Sequence, residues 1–312
     1  MWGSFDHVSS RQFEHTYPDI RGTIAAILHE LDTFGIAATW AVVGHLFLDR
    51  CARDASGRIH ADLVRPDHRW FGGDWLRCDP GTDRTRDPLW YGDDIVDAAQ
   101  AARTSHEIGS HSFSHPIFGD AGTTADVARS ELAACVRVAA QRGVRLRSFV
   151  FPRNREGHHE VLREFGFTAF RGADPTWYRD FPRLAARGAH LVDQAIGIAP
   201  PVGQPTELLP GLWDVPGSML LLHRVGLRRW LPMTARVRKA KRGIRRAIAE
   251  GAVFHLWSHP MNLAHDRVAM LAGLRAILRD VADLRERGLL RVATMAEIAD
   301  GAEERKSAEG EA

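Results

Sequence analysis

The sequence predicts an α/β fold built on a parallel sheet, and three observations carry that prediction. Helix-period and strand-period apolar patterns alternate along most of the 312 residues. Strand candidates such as residues 252–257 (AVFHLW) are apolar on both faces, as a parallel strand covered on either side must be. With 45% of its residues hydrophobic, the chain is long enough to bury one large α/β core.

The elements follow in order. Residues 20–35 (IRGTIAAILHELDTFG) read as a helix ending at Gly35, and 36–44 (IAATWAVVG) as a short apolar strand. Residues 93–105 (DDIVDAAQAARTS) form a second helix leading into the strand HEIGS. Ala128, Leu132, Cys135, Val136 and Ala139 mark one helix face, after which RSFVFP is a strand stopped by Pro152. HHEVLREFG and FTAFRG give another helix and strand. KAKRGIRRAIAEG, AVFHLWSHP, a helix carrying Leu271, Leu274, Leu278 and Val281, and GLLRVATM repeat the unit. Such repeats imply a parallel sheet, open or closed into a barrel. Residues 51–91 and 174–210 are weakly patterned and read as long loops over one face, where binding sites in such folds sit. We expect one domain over residues 1–300 and a frayed tail over 301–312.

Charge and cysteine content narrow the function. Lys plus Arg number 41 against 39 Asp plus Glu, so no overall field argues for nucleic acid as a partner. The basic segment 224–246 is either the solvated face of a helix or an approach to anionic lipid or to a sugar nucleotide's phosphates. Three cysteines without a CxxC pair suit reduced thiols. The first residues show no basic region followed by an apolar run, and no stretch reaches the ~18 apolar residues of a membrane span, so a cytoplasmic protein is expected. Trp70, Phe71, Trp75, Trp90, Tyr91 and Trp177 lie in the loops, placed either to stack on sugar rings or to pack.

The segment HEIGSHSFSHP (106–116) concentrates three histidines behind a helix. Among 16 histidines about one pair four apart is expected by chance, and the chain has two, His111 with His115 and His255 with His259. Position adds what spacing lacks. His111 and His115 follow an extended stretch, at the strand end where α/β folds place their chemistry. Imidazoles four apart reach one zinc-type ion if the segment is a helical turn, with Ser112 and Ser114 able to fix ring orientation. Two partly buried histidines bonded to backbone are the plain alternative.

The order of motifs resembles the polysaccharide deacetylase family, carbohydrate esterase family 4, which includes the nodulation-type chitooligosaccharide deacetylases. EIGSHSFSHP matches the family's second motif, GIAATWAVVGHLF looks like its second strand, and FVFPRN, WDVPGS and FHLWSHP look like the third, fourth and fifth motifs, all in the family's order. The resemblance implies a distorted (β/α) barrel of the polysaccharide deacetylase type, with its first strand short or missing, and a site at the strand C-termini. It makes His111 and His115 two metal ligands, the metal commonly zinc. Arg153 corresponds to the arginine that orients the catalytic carboxylate, with Asp214 pairing to it in turn. For the acid we favour His259, which shares one side of its strand with His255 and Trp257 and ends it before Pro260. An unperturbed imidazole, with a pKa of about 6.5, suits that role. His255 is a supporting partner or a core histidine.

The family's first motif is Thr-Phe-Asp-Asp, its first Asp the base and its second a metal ligand. The nearest string here is Ser4-Phe5-Asp6-His7, which makes Asp6 the base and gives His7 the ligand's place. A second alignment sets WGSFD directly after the first strand, which then lies upstream of Met1 together with the base and a ligand. The expected activity is metal-assisted removal of an N-acetyl group from an amino sugar or glycan precursor, nucleotide- or lipid-linked. The competing classes are a glycan-binding relative lacking the base and a hydrolase of another non-peptide amide.

Overall fold

A computed structural model of the chain describes residues 1–174, 182 and 198–310. The first helices show how local sequence sets the elements. Ile20–Phe34 begins where the Asp19 carboxylate accepts from the Gly22 amide at 3.0 Å and stops at Gly35, whose φ of 58° a residue with a side chain adopts at a cost. Ala125–Ala140 is capped by Thr124 and buries Ala128, Leu132, Cys135 and Ala139, the face the periodicity marks.

The strands are β1 (Thr39–Val42), β2 (Glu107–Ser110), β3 (Ser148–Val150), β4 (Ala169–Arg171), β5 (Thr206–Leu209), β6 (Leu212–Asp214), β7 (Met219–Leu220) and β8 (Leu256–Trp257). Six form one sheet in the order β1-β2-β3-β4-β6-β5, parallel except for the β5–β6 hairpin. β7 pairs with β8, also in parallel. The two sheets are joined along one stretch of chain. Residues 213–217 bond to the β4 side through Val215 N to Phe170 O and Gly217 N to Gly172 O, and Ser218 and Leu221 bond across to His255 and Trp257. Among the described residues the result is an open, distorted α/β barrel, with no strand pairing between β8 and β1. Leu221, Leu31, Ile36, Leu263 and Met270 form a buried cluster there, with Trp40 of β1 and Leu256 of β8 packed against it.

Two segments depart from the sequence reading, and a third, at the N-terminus, agrees with a first strand that is missing. Met1–His7 is a run of turns, not a strand: Ser4 and Phe5 amides bond back to the Met1 carbonyl, while Trp2 and Phe5 bury their rings against Trp90 and Trp75. Aromatic burial there outweighs strand pairing. GLLRVATM forms no strand; it leads into the helix Met295–Gly310, which continues through the expected frayed tail. That helix is held because Ala299 and Ala302 are buried and Glu303 accepts from Trp213 Nε1 at 3.0 Å. The basic segment spends much of its charge internally. Arg236 is buried and donates to the Leu222 and Arg228 carbonyls, and Arg224 and Lys241 pair with Asp266 and Asp280.

At the N-terminal end of the strands Glu107 ties three elements together. Its carboxylate accepts from Thr39 Oγ1 at 2.7 Å, Ser148 Oγ at 2.5 Å and the Ala296 amide at 3.2 Å.

Candidate functional site

The opposite, C-terminal ends of the strands carry the candidate site. His111 follows β2, Arg153 follows β3, Arg171 ends β4, Asp214 ends β6 and His259 lies two residues beyond β8.

The histidine pair stands on a built loop. The His111 amide continues the β2 ladder by donating to Val42 O at 2.9 Å, and its ring Nδ1 donates to Val150 O at 2.6 Å, which leaves Nε2 free for a ligand. The segment is not a helical turn: Ser112 and His115 have φ of 61° and 64°. The two rings still meet, with centroids 4.7 Å apart. The buried Glu131 carboxylate holds this left-handed shape by accepting from the Phe113 and Ser114 amides, both at 2.8 Å, and from Ser114 Oγ at 2.6 Å. Ser112 Oγ accepts from the His115 amide at 2.9 Å.

Burial drives the His111 pKa down to about 3, with His259 and Arg171 adding to the effect. Burial, then His111, Arg153 and His259, holds His115 well below the usual imidazole range. Both rings are therefore neutral near pH 7, the form in which imidazole binds a metal. Gly3 lies against His115; a Cβ there would sit 3.1 Å from Nε2, so the glycine leaves that nitrogen room.

Around the pair stand the other predicted residues. Asp6 has a nearly buried carboxylate, ion-paired with Arg153 and 2.8 Å from His7 Nδ1. His7 itself is exposed, and among the described residues no compact group of three His, Cys, Asp or Glu donors includes it or the pair. Arg153 meets Asp6 and not Asp214. Asp214 accepts from the Gly172 amide at 2.9 Å, and burial, with Glu156 nearby, raises its pKa to about 6. His259 keeps an exposed surface inside dense surroundings, and that enclosure, with Arg171, lowers its pKa to about 4. His255 is similarly lowered to about 4 by burial and Arg171.

Three contributors escaped the sequence reading. Glu131 lies three residues after Ala128 on the buried helix face, where a carboxylate interrupting an apolar stripe was the available signal. Arg171 and Asp174 frame Trp257: the guanidinium lies 3.9 Å over the ring centroid, and Trp257 Nε1 donates to Asp174 Oδ1 at 2.9 Å. Of the loop aromatics, Trp75, Trp90 and Tyr91 are core, while Trp70 keeps nearly half its surface exposed, with Arg153 5.4 Å from its ring centroid. Trp177 lies outside the described residues.

No family model matches the chain, and no curated protein sequence matches it. Solved structures similar to it include the Xyl-CE4 domain of a multidomain xylanase from the hindgut metagenome of Trinervitermes trinervoides, at 12% identity and TM-score 0.43 over 90% of this chain and 84% of that one. A family 4 acetyl xylan esterase from Clostridium thermocellum, in complex with a cobalt ion, is similar at 17% identity and TM-score 0.32, covering 79% and 85%. A GH57-type branching enzyme from Pyrococcus horikoshii is similar at 12% identity and TM-score 0.39, covering 70% and 51%.

Proposed function

We propose that the chain is a metal-dependent hydrolase that removes the N-acetyl group from an amino sugar or glycan precursor. The observation that carries this reading is the meeting of two neutral, backbone-anchored histidines with the Asp6–Arg153 pair and His259 at the strand C-termini. His111 and His115 would hold a divalent ion, zinc by the chemistry of imidazole donors, with substrate and water rather than the exposed His7 completing its shell. When bound, the ion supplies Lewis acidity to the amide carbonyl and acidifies a water.

The remaining steps belong to side chains of this chain. Arg153 orients the Asp6 carboxylate, which would take the proton of the attacking water. Oxygen adds to the acetyl carbon, the carbon–nitrogen bond breaks, and the nitrogen leaves as an amine once protonated. His259, neutral above about pH 4, would deliver to the departing nitrogen a proton drawn from solvent, while Asp6 returns the water's proton to solvent, so that the protons balance. Trp70 offers a flat apolar surface beside Arg153 for a sugar ring.

The test is metal content together with acetate and ammonia release on N-acetylated chito-oligosaccharides, for the wild-type chain and His111→Ala. Metal-dependent acetate release that falls at least 100-fold in His111→Ala is the expected result. Unchanged activity in the variant refutes the site, ammonia without acetate points to another amide, and metal binding without turnover points to a glycan-binding protein.

A further inference from the structure

A second group of metal-ligating side chains packs behind Phe113 of the loop that carries His111 and His115, and includes neither of them. His45, Cys51, His60 and Asp79 bring one donor atom each within 4.8 Å of all the others, the only such group among the described residues. We propose that these four residues bind a structural Zn2+ ion that staples the long loop between residues 44 and 92, independently of the hydrolytic site.

The donor spacing suits the ion. A tetrahedral zinc with nitrogen or oxygen at ~2.0 Å and sulfur at ~2.3 Å has edges of about 3.3 and 3.5 Å. Asp79 Oδ2 is the oxygen that faces both histidines: Cys51 Sγ lies 3.5 Å from His45 Nε2 and 3.8 Å from Asp79 Oδ2, and His60 Nε2 lies 3.5 Å from the same oxygen. The His45–Asp79 edge, at 2.9 Å, needs to open by a few tenths of an ångström.

Hydrogen bonding points the same way. His45 Nδ1 faces the Trp90 carbonyl at 3.1 Å, which only accepts, so the ring carries its proton there. The lone pair on Nε2 then faces the Asp79 carboxylate in a site closed to solvent, acceptor against acceptor. His60 Nε2 is also buried without a hydrogen-bond partner, and His60 holds a left-handed φ of 45°. A cation among the donors satisfies all of them. Supporting contacts orient the remaining donors. The Gly81 amide donates to Asp79 Oδ1 at 2.9 Å, and Tyr91 OH, which accepts from the Thr82 amide, is left to donate to Cys51 Sγ at 3.1 Å.

Two further facts fit a staple. Residues 48–92 form no helix and no strand longer than a single bridge, a length of chain that needs a crosslink or a core of its own. A cysteine nucleophile with a histidine base is excluded by the arrangement, because sulfur and carboxylate face the same ring nitrogen and the other nitrogen is held by a carbonyl.

The experiment is cobalt substitution of the full chain, read by absorption and by metal analysis. Thiolate bound to cobalt gives a near-ultraviolet charge-transfer band, and the His111–His115 pair offers no thiolate. We expect the band in the wild type and in His111→Ala and Cys78→Ser, its loss in Cys51→Ser, and one metal equivalent fewer per chain in His60→Ala. Cys51→His, which replaces sulfur with nitrogen and guards against a folding failure of the serine variant, keeps the metal and loses the band. A wild type that binds cobalt without the band, or a band that survives in Cys51→Ser, overturns the proposal.

Discussion

Glu131 shows how much of a loop's shape can rest on one buried carboxylate. It satisfies two amides and a hydroxyl of the loop carrying His111 and His115. Glu131→Ala leaves those donors buried and unpaired, and we expect a loss of about 3 kcal/mol in urea unfolding with weakened zinc binding by calorimetry. Asp214 gives a pH-dependent test. Its folded pKa, about 6, lies above the ordinary carboxyl value, so the folded state holds its proton longer than the unfolded chain. Stability is full below about pH 4 and falls as pH rises toward 6. Asp214→Asn removes that fall, so its urea midpoint gains on the wild type between pH 4 and pH 7. The histidine pair was legible because its strand-end position and companion motifs were visible in the chain. The contact of Arg153 with Asp6 follows the resemblance, which sets that arginine to orient the base; its expected second partner, Asp214, is not there, since two distant carboxylates look alike until the fold brings one of them near.

At the scale of elements, the βα alternation was legible and the N-terminal segment was not. The periodic helices and β1 to β4 stand where apolar patterning puts them, because each buries a continuous face. Met1–His7 carries too few residues of either period, and its course is set by where Trp2 and Phe5 find partners. That course brings Gly3 onto His115. Gly3→Ala adds a Cβ 3.1 Å from His115 Nε2 at a residue with φ of 88°, so we expect about 1–2 kcal/mol less stability and a lower zinc affinity, both measurable on the same preparation.

For the whole molecule, the two ends of the strands divide the labour. Glu107 locks β1, β2, β3 and the last helix at one end, while His111, Arg153, Asp214 and His259 sit at the other. Glu107→Ala is expected to lower stability by about 2 kcal/mol in chemical unfolding while leaving kcat/KM within about twofold. The opening between β8 and β1 was not readable from patterning, because Trp40, Leu221 and Leu256 look like ordinary strand residues whether a neighbour pairs with them or side chains alone fill the space.

The left-handed backbone at Ser112 and His115 bears on whether the histidine pair can be moved. Four-residue spacing suggests a cassette that any helix could display. Here the two rings meet because two residues turn against the helical sense and a distant glutamate pins the peptide groups between them. Grafted onto a helix the same letters would present different nitrogens, so transplanting this pair requires carrying Glu131 and the loop's chirality with it.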